Sequence, residues 1–312
     1  MTMFARAILL AILVFAFASV AHAQNFETQK AWCLDSSADP DLRIGACTWL
    51  LSSGELAETG VPYVFVERAA ARIAKRQWDD ALGDLDQAIR INPNIAEAHL
   101  QQGLVFYERQ QWARATTSFD TAIRLEPTPT AHRLRGIARL RSGQTDRAIE
   151  DLDRAIRLNA EDGYAHYYRG NARAGLGQTE AAIGDYETAV RLLPKDARPS
   201  NGLAWLRATA KDPRLQDIEA ALRLARQSIA IRKTPENLDT LGAVFARRGE
   251  PEKALVAYKD SMELGGEARV RLYQNDLKRR GFYAGPVDGA LTPGLEQAMA
   301  ACLRARCVPF LD

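Results

Sequence analysis

Three histidines, His99, His132 and His166, have the type and spacing that first suggest chemistry, because imidazoles are common metal ligands and proton carriers. They recur at almost constant intervals along the chain. Such even spacing indicates equivalent positions in successive repeats, and packed helices hold equivalent positions about 10 Å apart. Ligands of one ion must all lie about 2 Å from it. We therefore predict that these histidines pack within repeats and share no metal ion.

Four cysteines form two local pairs, one near each end of the chain. Cys33 and Cys47 form the first pair, and Cys302 and Cys307 form the second. A zinc site would need the pairs to meet across most of the chain, and no histidine stands beside either. In an oxidising compartment the arrangement predicts two disulfides. Residues five apart in a helix climb about 7.5 Å and point to different faces, so the second disulfide requires a helix break around Arg304–Arg306.

The sequence lacks the short motifs that mark common catalytic sites. It contains no G-x-S-x-G, no P-loop and no G-x-G-x-x-G, and cysteines held in disulfides provide no nucleophile. The net charge is +2 without a block of like charge, so neither a nucleic acid nor an anionic membrane is implied as a partner. Acidic residues alternate with arginines, which is typical of a solvated helix face. We predict a non-enzymatic protein without cofactor or metal.

The beginning of the chain, residues 1–23, differs from everything that follows. Arg6 precedes an apolar stretch over Ala7–Val20, and Ala21-His22-Ala23 places small residues where a signal peptidase requires them. A membrane anchor is the alternative, but a span needs about 20 apolar residues. The pattern predicts a signal peptide over residues 1–23, export to the bacterial periplasm or cell envelope, and no membrane anchor after cleavage.

A regular repeat runs through the middle of the chain. Similar segments begin at Ala81, Ala115, Ala148 and Ala182. The residues twelve positions earlier are small: Ala69, Gly103, Gly136 and Gly170. The residues four positions later are bulky: Leu85, Phe119, Leu152 and Tyr186. Small residues let two helix backbones approach closely, and the bulky residues then fill the adjoining layer.

On these residues the chain resembles the tetratricopeptide repeat (TPR) family. The resemblance implies an all-α, TPR-type α-solenoid of about six helix-turn-helix repeats over residues 61–265. A fifth unit has a turn widened by Lys211–Arg214, and a sixth covers Leu238–Leu264. Residues 24–60, with a helix over Asp41–Gly54, are expected to cover the open face of the first repeat.

The concave groove is where the resemblance places binding. In TPR proteins it is lined by positions two, five, nine, twelve and thirteen of the first helix of each repeat. These positions are Glu97, Leu100, Leu104, Tyr107 and Glu108 in the second unit, Thr130, Arg133, Ile137, Leu140 and Arg141 in the third, and Tyr164, Tyr167, Asn171, Ala174 and Gly175 in the fourth. Tyrosine and arginine are enriched at interface hot spots. Only Asn171 matches the family's clamp for a terminal carboxylate, so that activity is not implied.

A different pattern follows Gly265-Gly266. Q-x-x-L at 274–277 precedes G-F-Y-A-G-P-V-D-G at 281–289 and a predicted helix from Pro293 to about Leu303. Residues 266–312 thereby resemble a truncated peptidoglycan-binding domain, which implies wall binding by Phe282, Tyr283 and Asp288. Aromatic rings there would stack on sugar faces. In the alternative interpretation the segment is a helical lid on the array, and Asp288 only forms a turn.

These features together predict an exported TPR scaffold or adaptor. It would bind a protein partner in its groove and attach to the cell wall through peptidoglycan. The alternative is an accessory or regulatory subunit of a cell-wall enzyme, with the C-terminal segment serving only as a lid.

Overall fold

The computed structural model describes residues 24–310, and the predicted signal peptide lies outside this range. The described residues form helices and turns and contain no β-strand. They divide into two compact units, one ending at Gln144 and the other beginning at Thr145. The predicted all-α repeat fold is therefore confirmed. Within the described range, no helix is both long enough and apolar enough to cross a membrane.

The first unit begins with two capping helices, which are followed by repeats. Its helices are α1 (residues 24–34), α2 (Pro40–Ser53), α3 (Val61–Ala74), α4 (Trp78–Ile91), α5 (Ala96–Glu108), α6 (Trp112–Leu125) and α7 (Pro129–Arg141). The predicted capping helix is α2, which begins where Asp39 accepts a hydrogen bond from the Asp41 nitrogen at 2.9 Å. It ends at Gly54, whose φ of 73° stops the helix.

The second unit carries the later repeats and the C-terminal segment. Its helices are α8 (Thr145–Leu158), α9 (Gly163–Gly175), α10 (Thr179–Leu192), α11 (Ala197–Thr209), α12 (Ile218–Ile231), α13 (Pro235–Arg248), α14 (Pro251–Arg279) and α15 (Pro293–Arg304). The widened turn of the fifth repeat contains a 3-10 turn over Pro213–Leu215. Helix α14 is kinked at Gly266, with φ 64° and ψ −160°, where the sequence predicts the end of the repeats.

Except in the fifth repeat, whose turn is widened, the two helices of a repeat are joined by the same tight turn. The Gln77 nitrogen donates to the Arg72 oxygen at 2.9 Å, and the Gln178 nitrogen donates to the Arg173 oxygen at the same distance. In each turn the residue before the donor is left-handed, as at Gly177 with φ 73°. This six-to-one bond is the Schellman closure of a helix end. Identical turns give the helix pairs a common geometry, so equivalent residues recur at equivalent places.

Small residues of the first helices lie against bulky residues of the second, as the repeat pattern predicts. A Cβ atom on Gly103 would lie 2.5 Å from the Phe119 ring, and one on Gly242 would lie 2.7 Å from the Tyr258 ring. Both rings are buried, at 0% and 1% exposure. Interiors packed this closely cannot absorb an added methyl group without movement.

Gly103→Ala should lower the free energy of unfolding by about 1–3 kcal/mol, because its methyl group would collide with the Phe119 ring. The matched control is Gly83→Ala in α4, where a Cβ meets nothing within 4 Å. Removing a glycine from an open helical position should stabilise by roughly 0.5–1 kcal/mol. Denaturant unfolding measures both values, and stabilisation by both alanines would contradict the close approach.

One interpretation of the acidic residues is wrong. Asp84, Asp151 and Asp185 are each only 3% exposed, although the alternation with arginine indicates a solvated face. Asp84 shows the reason, since it accepts hydrogen bonds from Arg68 Nη2 and Arg72 Nη1, both at 2.6 Å. The arginines come from the first helix of the repeat and the aspartate from the second. The pairs therefore tie the two helices together.

The core of the second unit continues into the C-terminal segment. Val270, Leu277 and Leu295 belong to the same buried cluster as Val244 and Tyr258 of the sixth repeat. The residues after the kink in α14 are therefore packed on the sixth repeat, and they cover the apolar face of that repeat.

Both predicted disulfides are present. The Cα atoms are 4.9 Å apart for Cys33 and Cys47, and 5.0 Å apart for Cys302 and Cys307, within the range that a disulfide bridges. Helix α15 ends at Arg304 and the chain turns at Arg306, which has φ 59°. The predicted helix break is confirmed.

Candidate functional site

A cleft of 1310 Å³ lies in the second unit, along the first helices of repeats four, five and six. Helix positions two and five line it in each of these repeats: Tyr164 and Tyr167 in α9, Arg198 and Asn201 in α11, and Glu236 and Asp239 in α13. The loops before α11 and α13 form one rim. The second half of α14 and Phe310 lie at one end of the cleft. Four of the five groove positions assigned to the fourth repeat line this cleft, namely Tyr164, Tyr167, Asn171 and Ala174, and Gly175 does not.

The groove residues assigned to the first unit lie on α5 and α7. Leu100, Leu104 and Tyr107 are half-buried against the cluster around Phe106. Arg141 Nε donates to the Tyr107 hydroxyl at 3.4 Å. The structure thus brings these α5 and α7 residues together.

The remaining residues assigned to that groove differ in exposure. Glu97 accepts a hydrogen bond from Gln101 Nε2 at 2.9 Å. Arg133 is half-buried. Ile137 is only 5% exposed, so it contributes to packing.

Arg198 organises the aromatic side of the cleft. Its guanidinium lies 5.4 Å and 5.3 Å from the ring centroids of Tyr164 and Tyr167, within the range of a cation–π interaction. Asp196 holds the guanidinium from the loop, with Nη2 to Oδ2 at 2.5 Å. The hydrogen bonds from Arg198 lower the pKa of Asp196. This carboxylate is therefore ionised at neutral pH and is satisfied within the protein.

Two asparagines supply hydrogen-bonding groups at the floor of the cleft. The Tyr186 hydroxyl donates to Asn171 Oδ1 at 2.6 Å, and burial raises the pKa of Tyr186, so this donor keeps its proton. The bond occupies the Asn171 oxygen and leaves the amide nitrogen as a donor. Asn201 Oδ1 is buried and has no hydrogen-bond partner in the described part of the chain. A donor and an unsatisfied acceptor match the two polar groups of a peptide unit.

The C-terminal segment closes one end of the cleft with a buried ionic cluster. Asp239 accepts hydrogen bonds from Arg269 and from the Tyr273 hydroxyl. The Phe310 ring lies 4.7 Å from the Tyr273 ring, and the Arg269 guanidinium lies 6.0 Å from the Phe310 ring. Leu272 stands beside them and is 50% exposed. The end wall is thus fixed by charge pairing and presents one apolar side chain to solvent.

The residues assigned to wall binding shape the C-terminal segment itself. Asp288 accepts from the Ala290 nitrogen and from Gln274 Nε2, both at 2.9 Å, so it forms a turn, as the alternative interpretation expects. Tyr283 is 8% exposed and its hydroxyl donates to the Pro286 oxygen at 3.2 Å. Phe282 is half-buried beside a second cleft of 510 Å³. Wall binding stays a prediction, and Tyr283→Ala would test folding as much as binding.

The histidines pack within their repeats. His99 Nε2 lies 2.9 Å from the Pro93 oxygen, and His166 Nε2 lies 3.2 Å from the Ala160 oxygen. Each carbonyl belongs to the residue six positions earlier, so the contact repeats with the sequence. His132 is buried at 7% exposure. Between residues 24 and 310, no three His, Cys, Asp or Glu residues are grouped so as to hold a metal ion.

The tetratricopeptide repeat model matches residues 66–132 and 133–197. Residues 66–197 therefore consist of tetratricopeptide repeats. No curated protein matches the sequence.

Solved structures share the fold at low sequence identity. A tetratricopeptide repeat protein from Parabacteroides merdae ATCC 43184 is 14% identical, with 78% of this chain and 94% of that chain covered and a TM-score of 0.58. A chain of the APC/C hetero-tetramer Cut9–Hcn1 is 14% identical, with 78% and 49% covered and a TM-score of 0.58. YrrB, a TPR protein with an unusual peptide-binding site, is 20% identical, with 61% and 93% covered and a TM-score of 0.48. At 14% identity, the first two of these structures show only that the fold is shared.

Sequence reasoning missed the contribution of the fifth repeat. Arg198, Asn201 and Trp205 occupy positions two, five and nine of α11 and line the cleft. The signal was present, because the family's groove positions apply to any first helix once its start is known. The irregular spacing of this unit hides that start. Phe310 carries no repeat signal at all.

Proposed function

We propose that this chain is an exported scaffold that binds an extended segment of a protein partner in the cleft of its second unit. The observation that carries the proposal is the composition of the cleft. Two exposed side chains with apolar surface, Tyr164 and Leu272, line the same cleft as Asn171, which keeps an amide donor, and Asn201, whose buried Oδ1 has no hydrogen-bond partner between residues 24 and 310. Apolar surface with a few placed polar groups is typical of binding sites.

Export is the second part of the proposal. It is supported by the signal-like sequence of residues 1–23 and by the two disulfides, because disulfides persist in oxidising compartments. Attachment to the cell wall is supported only by the resemblance of residues 266–312 to a peptidoglycan-binding domain. The packing of this segment on the sixth repeat favours a covering role for it.

A photo-crosslinker at position 272 tests the binding proposal in living cells. Leu272 is 50% exposed and lines the cleft, whereas Leu264 is 51% exposed and does not. We expect p-benzoylphenylalanine at 272 to give one dominant adduct with a protein partner, and the same probe at 264 to give none. Mass spectrometry of the adduct would identify the bound segment. Equal adducts from both positions, or none from 272, would contradict the proposal.

A further inference from the structure

The carboxylates that line the cleft are already paired. Asp196 is bound by Arg198 with Nη2 to Oδ2 at 2.5 Å. Asp239 is bound by Arg269, and Glu236 lies 3.3 Å from the same guanidinium. Each acidic group of the lining therefore has a cation of its own chain beside it, and a partner does not need to supply one.

Two cations on the rim have no such partner. Lys195 lies in the loop before α11 and Arg232 in the loop before α13, and both line the cleft. Neither forms an ion pair with any residue between 24 and 310. The charge of Arg232 lowers the pKa of Asp196, but that carboxylate already holds Arg198. Arg198 and Arg232 thus both act on Asp196, and Lys195 precedes this aspartate in the same loop.

Apolar side chains flank the same rim. Tyr164 is 37% exposed, and Leu193, Trp205 and Ile231 also line the cleft. A ligand group placed here meets positive charge and apolar surface together. Ion pairs at exposed positions such as Lys195 and Arg232 govern partner choice and association rate more than raw affinity.

We infer that the cleft binds an extended peptide segment with an aspartate or glutamate side chain next to an aromatic or large aliphatic residue. The acidic side chain lies at the rim with Lys195 and Arg232, and the apolar side chain lies on Tyr164 and Trp205. The inference rests on the proposed function and adds the chemistry of the bound segment.

An array of synthetic octapeptides tests this preference on the purified full chain. Each peptide has a Gly-Ser frame, acetylated and amidated ends, one position with Phe, Leu or Ala, and a neighbouring position with Asp, Glu, Asn, Gln or Lys. The blocked ends exclude recognition of a terminal carboxylate. We expect the highest affinity for Asp or Glu beside Phe or Leu, and about tenfold weaker binding when an amide replaces the acid. This difference should shrink as salt is added.

Charge reversal on the rim provides the matched variant. Lys195→Glu with Arg232→Glu should lose the preference for acidic peptides and favour the lysine series. The control is Arg223→Glu with Arg226→Glu, which makes the same charge change on exposed positions of α12 outside the cleft lining. The control should keep the original preference, because local contacts and not net charge determine it.

The outcomes separate this inference from the proposed function. In one outcome the native chain binds acidic and amide peptides equally, and the double variant Tyr164→Ala with Leu272→Ala loses this binding. That result would overturn the acidic preference and leave the peptide-binding function in place. A loss of preference in the α12 control equal to that in the rim variant would also overturn the inference. Failure of every peptide to bind, together with no adduct from position 272, would overturn both.

Discussion

Asp185→Ala should lower the free energy of unfolding by about 3–5 kcal/mol, the largest effect that we expect from one substitution. The carboxylate is 3% exposed and lies 2.5 Å from Arg169 Nη2 and 2.9 Å from Arg173 Nη1. His166 Nδ1 lies 3.5 Å away. Removing the acid leaves Arg169 and Arg173 with only the partly solvated Asp153 as an anionic partner, and the uncompensated desolvation of two largely buried guanidiniums is the source of the loss. Denaturant unfolding followed by circular dichroism measures it.

Asp153→Ala is the matched control, because Asp153 pairs with the same arginine. Arg169 Nη1 lies 2.6 Å from Asp153, but this carboxylate side chain is 32% exposed. Partly solvated pairs contribute about 0–1 kcal/mol. Equal losses in the two variants would show that burial is not what makes the Asp185 pair important.

The pH dependence of the Asp185 effect follows from its surroundings. Burial opposes ionisation, but hydrogen bonds from His166 and Arg169 and the charges of Arg169 and Arg173 together lower the pKa of Asp185. A lowered folded-state pKa gives stability that is fully present above the unfolded value of about 4 and is lost as the pH falls through the folded value. The stability difference between the native chain and Asp185→Asn should therefore be constant near neutrality and shrink below about pH 4.

The buried Asp–Arg pairs show which contacts can be predicted from the sequence. Asp185 and Arg169 are sixteen residues apart, as are Asp84 and Arg68. In the second repeat Ser118 replaces the aspartate, and its hydroxyl donates to Gln102 at 2.9 Å, again sixteen residues away.

The coupled change from an Asp–Arg pair to a Ser–Gln pair was visible in the sequence. The spacing within a single helix places the aspartate on the buried face, since Asp84 lies three residues after Ala81 and four before Ala88, but it does not identify the arginine that pairs with it. The aspartate becomes buried only when the neighbouring helix packs over it.

Part of the cleft could be predicted from the sequence and part could not. The lining from α9 follows from the repeat register, since Tyr164, Tyr167 and Asn171 occupy equivalent positions in a regular unit. The end wall does not follow, because Arg269 and Phe310 meet only after the chain has turned twice beyond the last repeat. Contacts between segments that share no period depend on tertiary packing, and a periodic pattern carries no information about them.

The motif in residues 274–289 shows a different limit of prediction from sequence. Gln274 is fully buried; its Nε2 donates to Asp288 Oδ1 and its Oε1 accepts from the Gly289 nitrogen, both at 2.9 Å. Leu277 is also fully buried. The residues that carry the resemblance to a wall-binding domain therefore have structural roles here. A shared motif of this kind predicts the local fold better than it predicts the ligand.

Replacing both cysteines of the first disulfide, Cys33→Ala with Cys47→Ala, should lower the stability of the first unit by about 3 kcal/mol. The bond closes a loop with a sequence separation of 14, and loop entropy gives about 3 kcal/mol for that length. Alanine is chosen because both positions are fully buried among Leu50 and Val64. A serine hydroxyl there would add a desolvation cost of its own.

The second disulfide provides the matched comparison. Cys302 and Cys307 have a sequence separation of 5, so their replacement by alanine should cost only about 2 kcal/mol. Denaturant unfolding of the two double variants should rank them in this order, and peptide mapping of the non-reduced protein should show only the two local pairings. A larger loss at the C-terminal end would mean that loop length does not govern the effect. The turn that brings Val308 and Phe310 onto the core would then depend on this disulfide, because the short bridge fixes the chain direction just before them.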